Sequence, residues 1–146
     1  MDPAVERLFE RVSAITGISI EVLSGKKGNW SPWGGAGKVG EALAADPYGI
    51  TKAFVTTAQE DDPSKLPQFL QATYKEMSKH IGLADDAGDM VASSIAGSII
   101  PASLGGKKKK ALIKQFKDPR IARNYTQGRI AGLLGHHLDP DEFGPQ

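Results

Sequence analysis

The sequence predicts an all-α protein, a compact bundle of about six or seven short helices forming a single domain over residues 1–146. Three observations predict this fold class. Prolines repeatedly follow aspartates, apolar residues recur at helical spacing, and the chain contains neither a run of alternating strand-forming residues nor a fixed-period repeat. At 146 residues with 40% hydrophobic residues, the chain is long enough to bury a core.

Five of the nine prolines follow an aspartate, and this pairing predicts helix starts. Aspartate at the N-cap accepts hydrogen bonds from free backbone N–H groups, and proline at the first helical position has no N–H to leave unpaired. The pairs that precede predicted helices are Asp2-Pro3, Asp46-Pro47, Asp62-Pro63 and Asp118-Pro119. The fifth, Asp139-Pro140, falls in a predicted short polar tail at residues 139–146.

Apolar spacing outlines the helices in the first half of the chain. The first helix should stop at Gly17, and its predicted core face is Val5, Leu8, Phe9, Val12 and Ile15. Residues 18–23 form either a short helix or a strand, and we favour the helix. A Gly/Trp-rich loop at 24–40 then breaks the pattern, and a further short helix is expected at 38–45.

The same spacing outlines the later helices. Asp46-Pro47 opens a segment with an apolar side at Ile50, Phe54, Val55 and Ala58. Asp62-Pro63 opens the next, which should close at Gly82 and present Leu66, Phe69, Leu70, Thr73 and Met77. The last predicted helix follows Asp118-Pro119 and carries Ile121, Tyr125, Ile130, Leu133 and Leu134.

The segment from Met90 to Leu104 carries no charge, and its small residues would let another helix approach closely. It is shorter than the roughly 20 residues that a membrane-spanning helix needs. We therefore expect a core helix or a subunit contact. Membrane insertion is the less favoured alternative, suggested only by the lysines that follow.

Charge is strongly segregated along the chain, although the net charge is only +1. The segment 105–129 holds nine of the eighteen Lys and Arg residues against a single acid, Asp118. This concentration indicates an anionic partner, and nucleic acid is the first candidate. A solvated helix face or a patch that pairs with another subunit are the alternatives. The predicted nucleic-acid-binding residues are Lys107, Lys108, Lys109, Lys110, Lys114, Lys117, Arg120, Arg123 and Arg129.

The loop at 24–40 is a second candidate contact surface. Its aromatic and basic residues would suit stacking on unpaired bases and contacts to phosphates. The alternative is that one or both tryptophans fold back onto the core. The residues concerned are Lys26, Lys27, Trp30, Trp33 and Lys38.

No motif predicts catalysis, a metal or a cofactor. The chain has no cysteine, and its two glycine-rich segments that end in Gly-Lys, residues 34–38 and 105–107, lack the spacing and the Ser or Thr of a phosphate-binding loop. His136 and His137 lie beside acidic residues near the C-terminus, where a solvated helix end is a better interpretation than a metal site. The acidic, amphipathic opening is unlike a signal peptide, so we expect a cytoplasmic or virion-associated protein.

Residues 4–27, AVERLFERVSAITGISIEVLSGKK, resemble the opening of the C-terminal DNA-binding domain of DnaA-type replication initiators. In that family an amphipathic helix is followed by a short turn and basic residues. The family's downstream Asp-His-Thr-Thr signature has no counterpart, because the chain has no histidine before His80. The resemblance therefore assigns no functional residue.

The leading hypothesis is a non-enzymatic helical protein that contacts nucleic acid through its basic C-terminal segment. The main alternative is a self-assembling structural subunit of a virion or filament, forming a homo-oligomer. Charge segregation, small-residue helix faces and the GxxxG spacing of Gly128 and Gly132 suggest the alternative. A membrane-active helical protein is the third hypothesis.

Overall fold

The described part of the chain is helical wherever it has regular structure, which confirms the predicted all-α class. The computed structural model describes residues 1–24, 37–79 and 86–143. Within these ranges the α-helices are α1 (Pro3–Thr16), α2 (Ile20–Leu23), α3 (Gly37–Ala45), α4 (Pro47–Glu60), α5 (Leu66–Ser78), α6 (Asp86–Ser98), α7 (Gly106–Gln115), α8 (Pro119–Leu133) and α9 (Pro140–Phe143). Single 3₁₀ turns at Pro63–Lys65 and Ala102–Leu104 come shortly before α5 and α7.

All five Asp-Pro pairs lie at helix starts. The five aspartate carboxylates accept a backbone N–H two or three residues further on at 2.8–3.0 Å. At the other end of α1, Gly17 adopts φ 73°, and its N–H donates to the Ser13 carbonyl at 2.8 Å. A side-chain hydrogen bond from Ser64 lowers the pKa of Asp62, and one from Arg120 lowers the pKa of Asp118. The N-cap prediction is therefore confirmed at four sites. At the fifth, Asp139, a polar tail was expected, and the structure has a one-turn helix instead.

Several predicted boundaries and faces were wrong. Residues 139–146 are not simply a polar tail, because Asp139 caps α9. The last four residues of the predicted 24–40 loop belong to α3. Ile15 and Ile121 are 37% and 38% exposed rather than buried. Apolar spacing identifies a helix face, but it does not show how far the neighbouring helix extends along that face.

Helix α6 lies at the centre of the bundle and packs against α3, α4, α5 and α8. Its buried residues include Val91, Ala92, Ile95 and Ala96, and the chain remains buried through Ile99 and Ile100. The uncharged segment is therefore part of the core as far as Ile100, which agrees with one of the two favoured interpretations. No helix among the described residues is long and apolar enough to cross a membrane.

A second group of contacts joins α1 to α4 and α5. The Phe54 and Phe69 rings meet edge to face with their centroids 6.3 Å apart. At the rim, Arg11 donates to both carboxylate oxygens of Glu60 at 2.6 Å and to the Thr57 hydroxyl at 2.7 Å. These contacts hold α1 against α4 and α5.

Tyr74 of α5 carries a polar group into the core. The residue is 3% exposed, and its hydroxyl has no hydrogen-bond partner of good geometry among the described residues. Burial raises the pKa of Tyr74 to about 12, although the Thr126 hydroxyl and the Arg123 charge oppose part of that rise. Since an unfolded tyrosine titrates near 10, the folded state binds the phenolic proton more tightly.

The Tyr74 shift predicts a loss of stability at alkaline pH. The contribution is fully present below pH 10 and is lost as the pH rises from 10 through 12, and the total loss is about 2 to 3 kcal/mol. Tyr74→Phe should remove this loss of stability at alkaline pH, while changing the free energy of unfolding at pH 7 by less than about 1 kcal/mol. Urea unfolding of both proteins at pH 8, 10 and 11.5 measures the difference. Parallel loss of stability in the two proteins would contradict the assignment, because the half-buried Tyr125 is common to both.

Candidate nucleic-acid interface

Helix α7 projects the lysines of the basic segment away from the core. None of its ten residues is buried, and Leu112 is the residue that packs partly against the core. The helix is anchored just beyond its C-terminal end by Phe116, which is 2% exposed. The Phe116 carbonyl accepts a hydrogen bond from the Ser93 hydroxyl at 2.6 Å, and its ring lies 5.1 Å from that of Tyr125.

Helical geometry places three of the lysines opposite this anchor. Lys107, Lys110 and Lys114 follow one another at spacings of three and four residues, so they share the face opposite Leu112 and Phe116. The exposed cations continue past the helix into the turn and the start of α8. We call this set the basic surface: Lys107, Lys108, Lys110, Lys114, Lys117 and Arg120, all exposed.

The N-terminus of α7 adds its own positive potential to these side chains. Gly105 adopts φ 79° and offers no side chain as a cap. The helical hydrogen bonds begin with the Lys109 N–H, which donates to the Gly105 carbonyl at 2.9 Å. The backbone N–H groups of residues 106–108 therefore precede the ladder at the positive end of the helix dipole. Such an end attracts phosphate groups, and here it is surrounded by lysines.

Asp118 offsets only part of this charge. Its carboxylate is committed to capping α8 through the Arg120 N–H at 3.0 Å, and it also contacts the Arg120 guanidinium at 3.3 Å. The Arg120 side chain nevertheless remains 84% exposed. Five lysines and one arginine thus face solvent with one acid among them.

Three of the nine predicted contact residues do not belong to the basic surface. Arg123 donates to the Asp89 carboxylate at 2.6 Å and so joins α8 to α6. Arg129 pairs with Glu142 and ties α9 to α8, and its side chain is only 18% exposed. Lys109 is half-buried. These ion pairs hold the fold together, so we leave the two arginines out of the proposed contact surface.

The predicted contact loop falls mostly outside the described residues. This applies to Lys26, Lys27, Trp30 and Trp33. Lys38 lies in α3, and its side chain is likewise outside the described part. Stacking of bases on the tryptophans stays a prediction.

The described residues contain no group of three or more His, Cys, Asp or Glu side chains placed to hold a metal ion. His136 and His137 are exposed and follow α8, while the neighbouring Asp139 and Glu142 serve as a cap and an ion-pair partner. His80 lies outside the described residues.

Two open grooves flank α1. One, of about 330 Å³, lies against α4 and is lined mainly by apolar atoms beside Ile15, Ala53 and Lys52. The other, of about 260 Å³, lies against α5 and includes Lys75, Glu76 and Lys79. Neither groove involves a residue of the basic surface.

The chain matches no protein-family model, no curated protein and no solved structure. The case for a function therefore depends on the chemistry of the basic surface itself.

The division between exposed lysines and paired arginines generates a testable difference. Arg123→Gln should lower the free energy of unfolding by about 1 kcal/mol, because it leaves Asp89 without its partner in a half-exposed site. It should leave the salt dependence of any nucleic-acid binding nearly unchanged. Thermal unfolding and fluorescence-anisotropy titrations measure the two effects. A folded variant whose binding weakens as much as that of a lysine variant would place Arg123 at the interface instead.

Proposed function

We propose that this protein binds nucleic acid through the sugar–phosphate backbone, using the basic surface on α7 and the start of α8. The observation that carries the proposal is the exposure of six cations along α7 and the start of α8, with one acid among them. Three of the six, Lys107, Lys108 and Lys110, lie near the uncapped N-terminus of α7. Phosphate contacts of this kind supply most of the free energy of non-specific nucleic-acid binding.

The arrangement of the lysines distinguishes the surface from an ordinary solvated face. Cations near a helix N-terminus oppose the helix dipole, and like charges three or four residues apart repel each other. Four consecutive lysines begin at the second residue of α7. Each arrangement costs a few tenths of a kcal/mol or more in the isolated chain. A bound row of phosphates would offset these repulsions, because each phosphate attracts the lysines and the positive end of the helix dipole.

The residue types favour backbone contacts over base reading. Lysine is a flexible point charge, whereas base edges are commonly read by the planar fork of arginine or by Asn and Gln amides. The α7 face presents lysines, and Arg120 is partly engaged by Asp118. We therefore expect similar affinity for different nucleotide sequences.

The dependence of binding affinity on salt concentration tests this proposal. In the variant K107Q/K108Q/K110Q/K114Q, four exposed charges are lost and no apolar side chain changes. If each lysine meets one phosphate, the log–log slope of affinity against salt should flatten by roughly 3 to 4 units. Affinity at low salt should fall at least tenfold for every sequence, as measured by anisotropy with a labelled 20-nucleotide strand and a duplex.

The matched control is K52Q/K65Q/K75Q/K79Q, which removes the same charge from exposed positions on or next to α4 and α5. It should retain most of the affinity and the slope of the parent. Equal losses in the two variants would show that only net charge matters. A parent protein that does not bind at moderate salt, or a folded α7 variant that binds as the parent does, would end the proposal.

Self-assembly is the second candidate, and glycines in α8 favour it. Gly128 and Gly132 are exposed, and an added Cβ at either position would meet no atom within 4 Å. Nothing in the described fold therefore requires these glycines, although each costs the helix about 1 kcal/mol relative to alanine. Close approach of a second helix is one use that would retain them.

The variant G128A/G132A tests whether copies of the chain associate through α8. We expect it to raise the free energy of unfolding of the monomer by about 1 to 2 kcal/mol. If copies associate through α8, the variant should also lower the oligomer mass in size-exclusion chromatography with light scattering. A monomeric parent over the accessible concentration range would remove this second candidate.

A further inference from the structure

We infer that helix α7 is a polyanion-dependent folding unit, so that binding of nucleic acid and formation of α7 are thermodynamically linked. This inference rests on the proposed function and adds to it the way the site is regulated. In the free chain α7 should open far more readily than the rest of the bundle. In the complex it should be as well protected as its neighbours.

Packing provides little stabilisation for α7. The helix contributes no buried residue, and Ile113 is 45% exposed. Its attachment runs through Leu112 and, beyond the last turn, through Phe116. A ten-residue helix without such support is marginal in water, since isolated helices shorter than about 12 to 15 residues rarely persist.

Charge weakens the same helix further. Lysines occupy five of its ten positions, and Lys107, Lys110 and Lys114 repel one another along one face. The chain enters α7 through Gly105 and Gly106, which favour the unfolded state because they have the most backbone freedom to lose. Lys114 alone lies in the last turn, where a cation is favoured.

A polyanion removes these penalties together. Phosphates neutralise the repulsion between lysines and accept hydrogen bonds from the first-turn N–H groups, which are aligned only when the helix is formed. The folded helix therefore binds more tightly than the open segment. By linkage, a ligand that binds the open segment at least a hundredfold more weakly, present at 100 times its dissociation constant for the folded form, shifts the opening equilibrium about a hundredfold towards closure.

Hydrogen exchange of the full chain, read by mass spectrometry, tests the linkage. In the free protein, amides of residues 109–115 should exchange at least a hundredfold faster than those of the α6 segment 91–97. A saturating 20-nucleotide single strand should slow exchange in 109–115 by about a hundredfold while leaving 91–97 nearly unchanged. Binding is followed in the same samples by anisotropy.

A second variant separates linkage from simple loss of contacts. K107E/K108E places acids in the first turn, which the helix dipole favours, while removing two phosphate contacts. It should slow exchange of 109–115 severalfold in the free protein and also weaken binding. The control K52Q/K65Q/K75Q/K79Q should change neither quantity appreciably.

The outcomes separate the inference from the proposed function. Binding without a change at 109–115, or equal slowing throughout the chain, overturns the linkage and leaves the proposed function standing. Absence of binding overturns both. Anionic phosphatidylserine vesicles that bind and protect 109–115, when the oligonucleotide does not bind, would overturn the nucleic-acid function and assign the surface to membranes. Faster exchange in free K107E/K108E than in the parent would also overturn the linkage.

Discussion

Burial of the uncharged stretch of α6, from Met90 to Ser98, is the constraint on which the rest of the structure depends. Val91, Ala92, Ile95 and Ala96 are all nearly inaccessible, and four other helices pack around them. The small side chains on α6 allow these neighbours to approach closely. Because α6 has no charge between Met90 and Ser98, this stretch offers no partner to a charged side chain, and Arg123 of α8 meets Asp89 just before the stretch begins.

Two kinds of cation result from this arrangement. Arg123 lies on the flank of α8 that faces α6, and it meets Asp89. Arg129 lies where α9 returns to α8, and it meets Glu142. The lysines of the basic surface lie on a helix attached through Leu112 and in the turn that follows it, and all of them are exposed. Arg123 and Arg129 therefore contribute to the stability of the fold, whereas the cations of the basic surface form a concentrated positive surface.

The lysines that carry the proposed function of α7 also lower the stability of this helix. Leu112 and Phe116 attach the helix, while the lysines and the uncapped N-terminus weaken it. Apolar residues in place of the lysines would stabilise the helix and weaken its binding of phosphates. This opposition is common at binding surfaces, where local rules of stability are broken for the benefit of the partner.

The sequence by itself determined the fold class and most helix starts, because capping and apolar periodicity are local properties. Asp2, Asp46, Asp62 and Asp118 were identified as caps, while Asp139 was passed over because its helix is a single turn. The sequence also located the lysines of the proposed surface. Only the tertiary structure decided which cations face solvent, because Arg123 and Asp89 are 34 residues apart and meet through the packing of α8 on α6. Local patterns carry no information about such pairs, since the positions that become neighbours depend on how whole helices are arranged.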